Sequence, residues 1–149
     1  MRGGRKMPLF TRDQKMDLLR KVPMFSELSN RHLREISKHS DKVGKKAGEV
    51  LVRQGDKGWE FFFIIEGKAR VEKDGRVIRN LTSGDFFGEI SLIDREPRTA
   101  SVIAETDMDL LVVHSRSFHH LLDTTPGLLG KILISLCKYI RRAEKDLNL

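Results

Sequence analysis

A single cysteine, Cys137, excludes an intramolecular disulfide and points to a reducing, cytoplasmic home. Long apolar runs are missing as well. The run from Phe61 to Ile65 has the length of a strand, far short of a membrane-spanning helix, so no membrane insertion is expected. The start, Met1-Arg2-Gly3-Gly4-Arg5-Lys6-Met7, carries charge but no apolar stretch behind it, which excludes a secretory signal. No low-complexity tract and no solenoid repeat is present. Acidic residues are outnumbered, 21 against 28 lysines and arginines, which leaves a net charge of +7. That surplus fits a plain basic face, an anionic ligand, an acidic partner or nucleic acid, and charge alone does not choose. What remains is a soluble balance, 39% hydrophobic and 33% charged over 149 residues, enough for one domain with a sizeable core.

Residues 1–10 read as a flexible basic arm, and 11–149 as one domain with its core over 24–124. Thr11 is an acceptable N-cap for a short helix carrying Met16, Leu18, Leu19 and Val22, ended by Pro23. Ser26 or Ser29 caps a second helix with Leu28, Leu33 and Ile36 inward; His32 and His39 beside them read as solvated. After Gly44 the period changes. Gly48 to Gln54 reads as a strand closed by the turn Gly55-Asp56-Lys57-Gly58. Glu60 to Glu66 reads as a strand buried on both faces. Asp74-Gly75 between alternating segments (Ala69 and Val71; Val77, Ile78 and Leu81) is a hairpin signal. Thr99 to Ala104 and Asp109 to His114 are further strands. Short strands at regular spacing predict a β-roll or sandwich, mainly β, with flanking helices. Ser115 can cap a helix with Phe118, Leu121 and Leu122. Pro126 suits the first turn of a last helix over 126–147, whose stripe is Leu129, Ile132, Leu133, Leu136, Ile140, Ala143 and Leu147.

The stretch from Gly84 to Ser101 carries the chemistry. Gly88 lets backbone N–H groups point inward without a Cβ, and such groups make an anion site. Arg98 adds a fixed charge and a two-pronged donor set suited to phosphate oxygens. Glu89 would repel a bare phosphate, but fits a ligand that places a hydroxyl donor beside it, as a ribose 2′-hydroxyl does. Glu89 and Arg98 therefore read together as a sugar-phosphate clamp. The bland alternative is a surface ion pair worth about 0–1 kcal/mol.

Phe87-Gly88-Glu89-Ile90-Ser91-Leu92-Ile93 followed by Pro97-Arg98-Thr99-Ala100-Ser101-Val102 resembles the phosphate-binding cassette of cyclic nucleotide-binding domains. That family includes regulatory subunits of cyclic-AMP-dependent kinase, cyclic nucleotide-gated channels and the bacterial catabolite activator protein. Leu18 to Phe25, Val52-Arg53-Gln54-Gly55-Asp56 and Phe62 to Val71 resemble other family segments in the same order, so the likeness spans roughly residues 18–142. The resemblance implies a β-roll with N-terminal helices and two C-terminal helices. It implies Gly88, Ile90 and Ser91 around the phosphate, Glu89 on the ribose 2′-hydroxyl, Arg98 on the exocyclic oxygens, and Thr99 and Ala100 lining the pocket. The expected ligand is cyclic AMP; the Thr99 hydroxyl leaves cyclic GMP open. No cofactor and no metal are expected. The last helix is expected to cap the base, with Tyr139, Lys138, Arg141 and Arg142 as candidates, hinged at Thr124-Thr125-Pro126-Gly127. Val50, Phe61, Val71 and Leu81 fit core or pocket wall.

An enzyme is not expected. The adjacent His119 and His120 diverge by about 100° on a helix and make no metal pair. Cys137 reads as a small core or flank residue, and His114 with Ser115 lacks an orienting acid. Regulators of the catabolite-activator type add a DNA-reading helix after the long helix; none follows Leu149, so direct DNA binding is not expected. The chain therefore reads as a sensor module with an unknown downstream partner and oligomeric state. The alternatives are the sensing domain of a larger transcription regulator or channel, and a sensor preferring cyclic GMP.

Overall fold

In the computed structural model, which describes residues 11–88 and 91–146, the helical entry begins with α1 (Arg12–Arg20). Thr11 caps it through a reciprocal capping box with Gln14. A 3₁₀ turn at Pro23–Phe25 follows, then α2 (Asn30–Lys38), capped by Ser29 rather than Ser26. The arm expected over residues 1–10 lies outside the described residues.

Two four-stranded antiparallel sheets form the roll. The strands are β1 (Ser40–Lys45), β2 (Val50–Val52), β3 (Glu60–Glu66), β4 (Ala69–Lys73), β5 (Arg76–Leu81), β6 (Phe86–Phe87), β7 (Ser101–Ala104) and β8 (Met108–His114). The order is β1-β8-β3-β6 in one sheet and β2-β7-β4-β5 in the other. The expected roll is therefore present. β1 was not foreseen: Ser-Asp-Lys-Val-Gly-Lys has little apolar content, and its six residues are held by pairing with β8. β2 is shorter than the expected strand from Gly48, although Gly48 and Glu49 still exchange backbone hydrogen bonds with Ala104. The hairpin between β4 and β5 turns at Asp74 (φ 52°) and Gly75 (φ 79°), two left-handed residues in succession, as a tight two-residue turn requires.

β3 is buried on both faces because it separates two cores. Phe61 and Phe63 join Phe25, Leu33, Phe118, Leu128 and other helical residues on the outer side. Phe62 and Ile64 join Ala69, Leu81, Val102, Leu110 and Val112 between the sheets. Phe25 stands edge-on to Phe61 at 5.7 Å and tilted to Phe118 at 5.8 Å, which ties the leading 3₁₀ turn to the sheet and to a C-terminal helix.

After β6 comes the short helix α3 (Ser91–Asp94); after β8 come α4 (Ser115–Thr124) and α5 (Leu128–Asp146). Ser115 does not cap α4. His114 occupies the cap position without a side-chain bond, and Ser115 is buried with its N–H donating to the Trp59 carbonyl at 2.7 Å. α5 starts at Leu128, not Pro126, because Pro126 and Gly127 (φ 82°) form the turn that separates the two helices. Its docked face also differs from the expected stripe. Leu128, Ile132 and Ser135 are buried, whereas Leu129, Leu133 and Ile140 are each more than half exposed. A pattern of alternate threes and fours finds an apolar stripe but not which side of it the roll covers. Cys137 is exposed rather than in the core. His32 is partly buried, not fully solvated, and its Nδ1 is buried without a hydrogen-bond partner; His39 is exposed as expected.

Candidate functional site

The loop that carries the chemistry is fixed before it reaches Gly88. Thr82 donates its N–H to the Asp85 carboxylate at 2.8 Å, and Gly84 and Asp85 hydrogen-bond through their backbones to Ile64 in β3. Phe86 and Phe87 then pair with Phe63 and Phe62, and the Phe87 ring stacks on Phe62 at 4.7 Å. The chain is thereby delivered to Gly88 against a rigid, doubly buried strand.

Gly88 has φ 85°, which a side chain disfavours. Space matters as much: a Cβ there would lie 2.7 Å from Arg98 Nη1 and 2.8 Å from the Glu60 carbonyl oxygen. Arg98 returns from the other end of the loop. Its backbone N–H donates to the Asp56 carbonyl at 2.7 Å, its carbonyl accepts from Gly55 N–H at 2.8 Å, and Lys57 and Pro97 form a β-bridge beside it. Its side chain is 8% exposed, and Nη2 donates to the Glu60 carbonyl at 2.7 Å. A guanidinium has five N–H donors in a fixed fork, and the bond to Glu60 helps to set the direction of that fork.

A cavity of about 230 Å³ opens beside these groups. Gly88, Arg98, Thr99 and Ala100 line it, and Val52, Val71, Leu81, Phe87 and Val102 supply an apolar floor. Three residues not foreseen also line it: Arg79 from β5, and Asp94 and Glu96 at and just after the end of α3. Asp94 accepts the Glu96 backbone N–H at 2.9 Å, which closes the turn after α3. The sequence held no signal for Arg79: a two-residue turn at Asp74-Gly75 would set Val71 opposite Ile78, and a register shift between Val71 and Glu72 sets it opposite Arg79 instead. Val50 does not line this cavity and is 37% exposed; Phe61 lies in the core.

Ser91 opens α3. Glu89 and Ile90, expected beside the phosphate, lie outside the described residues. None of the four lid candidates lines the cavity. Tyr139 packs on Phe86 at 6.3 Å between ring centres, beside a separate apolar cavity of about 290 Å³ bounded by Met24, Ile93, Leu136 and Ile140. Lys138 pairs with Glu27 across the start of the fold, and Arg141 and Arg142 are exposed.

A buried arginine and a left-handed glycine thus share one cavity with a set of apolar side chains, a combination chemically suited to an anionic group with an apolar body. The cyclic nucleotide-binding domain profile matches residues 43–125. The chain is 37% identical over 113 residues to a cAMP-dependent protein kinase regulatory subunit of Schizosaccharomyces pombe, covering 75% of this chain and 27% of that protein. It is 35% identical over 122 residues to the cGMP-dependent protein kinase egl-4 of Caenorhabditis elegans, covering 77% of this chain and 16% of that protein. Among solved structures, a cyclic nucleotide-binding domain from Methylobacillus flagellatus superposes with a TM-score of 0.73 at 26% identity, covering 91% of this chain and 79% of that one. The chain belongs to the cyclic nucleotide-binding domain family. It spans about a quarter or less of the length of these two curated relatives.

Proposed function

We propose that this chain is a regulatory module that binds a cyclic nucleotide, with cyclic AMP as the first ligand, and that it catalyses no reaction. The observation that carries the reading is Arg98, a buried guanidinium anchored to the Glu60 carbonyl at the wall of a cavity it shares with Gly88 and Ala100. A buried arginine is costly unless something anionic or a carbonyl set meets it. In this reading the N–H groups at Gly88, Ile90 and Ser91 and the Arg98 fork hold the phosphate, and Glu89 takes the ribose 2′-hydroxyl. The purine lies over Val71, Leu81 and Val102. The identity to a cAMP-dependent kinase regulatory subunit supports this choice.

Cyclic GMP is the second reading, and Arg79 favours it. An arginine can donate two hydrogen bonds to guanine O6 and N7, and it stands on the same wall as Thr99, whose hydroxyl can reach the guanine amino group. The identity to a cGMP-dependent kinase supports the same alternative. Titrating both nucleotides side by side by calorimetry tests the proposal. Saturable binding of either supports a sensor, the tighter one identifies the base, and binding of neither sinks it.

Closure of α5 over the base is part of the proposal. A ligand drives closure only by binding the closed arrangement better. The turn at Pro126 and Gly127 gives a hinge, and Tyr139, Lys138, Arg141 and Arg142 are the residues that would meet the base. The larger protein in which such a module acts would determine its downstream partner.

A further inference from the structure

We infer that Gly58, which does not line the nucleotide cavity, is a positioning residue that holds the Arg98 guanidinium in register for the phosphate. The inference rests on the reading of Gly88 and Arg98 as the phosphate site and adds the residue that sets its geometry. Gly58 lies in the loop between β2 and β3. Its backbone is not in the left-handed region, so the turn itself does not call for glycine. The space does. A Cβ built on Gly58 would lie 2.2 Å from Arg98 Nε, 2.4 Å from Cζ and 2.8 Å from Cδ. These three nearest atoms all belong to the arginine side chain. A larger residue therefore meets the Arg98 side chain before any other part of the fold.

The tip of the same group is confined by a second glycine, since a Cβ on Gly88 would lie 2.7 Å from Nη1. Nη2 is then held by the Glu60 carbonyl, two residues beyond Gly58. The Arg98 backbone is bonded to Gly55 and Asp56 of the same loop. The loop between β2 and β3 thus fixes Arg98 at main chain and side chain together. For a two-pronged donor the alignment of the fork contributes as much as its charge. A guanidinium displaced by a methyl group keeps its charge and loses its alignment, and the loss of a charge-assisted hydrogen bond weakens binding by roughly ten- to a hundredfold.

The test uses the 149-residue chain as wild type, G58A, R98A and the double variant. Cyclic AMP and cyclic GMP affinities are measured with the melting temperature of each ligand-free protein. Weakening by roughly ten- to a hundredfold in G58A is expected, with any fall in its ligand-free melting temperature relieved in the double variant and no further loss of affinity when G58A is added to R98A. Equal affinity of G58A and wild type, or the same loss in both backgrounds, overturns the inference. So does a fall in melting temperature of equal size in G58A and the double variant, which would make Gly58 a structural glycine. A second readout does not depend on nucleotide: the Arg98 Nε–Hε resonance, assigned by its loss in R98K. It is expected to be slow to exchange in wild type and shifted and broadened in G58A; an unchanged signal in G58A overturns the inference. Failure of wild type to bind either nucleotide refutes the ligand reading, while this signal still decides the role of Gly58.

Discussion

Arg98 is the residue on which the binding account turns. Its truncation to alanine leaves the phosphate without its charged partner and should weaken nucleotide binding by about 2–5 kcal/mol, measured by calorimetry. Lysine at the same position restores charge but not the fork, so R98K should recover part of the loss. Arg79 acts on a different quantity. It is exposed and lines the cavity, and in the cyclic GMP reading it meets the guanine, so R79A should weaken cyclic GMP more than cyclic AMP; an equal change in both would assign it a general electrostatic role. Gly88 and Arg98 were singled out in the sequence by the family-like runs Phe87 to Ile93 and Pro97 to Val102; taken alone, Arg98 with Glu89 also fitted a surface ion pair. Arg79 and Gly58 were not. Arg79 looks like an edge-strand charge until the hairpin register is known, and Gly58 looks like one more turn residue until the Arg98 side chain is seen against it.

At the scale of elements, β3 joins the core between the sheets to the core under the helices. Phe25, with no exposure, touches Phe61 and Phe118 at once, so Phe25→Ala should cost about 3–5 kcal/mol in a denaturant titration. His32 stands on α2, within electrostatic reach of Lys131 on α5. Burial first, then the positive charges of Lys131 and Arg31, lower its pKa below the ordinary 6.5. The folded state therefore resists protonation more than the unfolded chain does. Above pH 6.5 both states hold the ring neutral and the contribution is fully present. As pH falls through 6.5 the unfolded chain takes the proton first, so stability drops until the lowered folded value is passed. Unfolding curves at about pH 7.5 and about pH 5.5 should show a smaller loss for His32→Gln than for wild type; equal losses would remove His32 from the account. The hairpin at Asp74-Gly75 and the Thr11 cap were readable because local turn and cap chemistry determines them. β1 and the docked side of α5 were not, because β8 and the roll determine those, through contacts distant in sequence.

The whole molecule is a roll of two sheets with a helical collar assembled from both ends of the chain. The 3₁₀ turn at Pro23–Phe25 and α5 lie together, and Lys138 on α5 pairs with Glu27 just after that turn. Among the described residues no helix is long and apolar enough to cross a membrane. The proposed switch would move α5 against the roll. Hydrogen exchange over residues 115–146 should gain protection on nucleotide binding; unchanged protection there, with binding intact, would leave a static binder. The most direct measurement remains calorimetric titration of cyclic AMP and cyclic GMP into wild type and R98A. The account predicts saturable binding of at least one nucleotide by wild type and a loss of about 2–5 kcal/mol in R98A. Absence of binding to either nucleotide, or equal affinity of the two proteins, would contradict it.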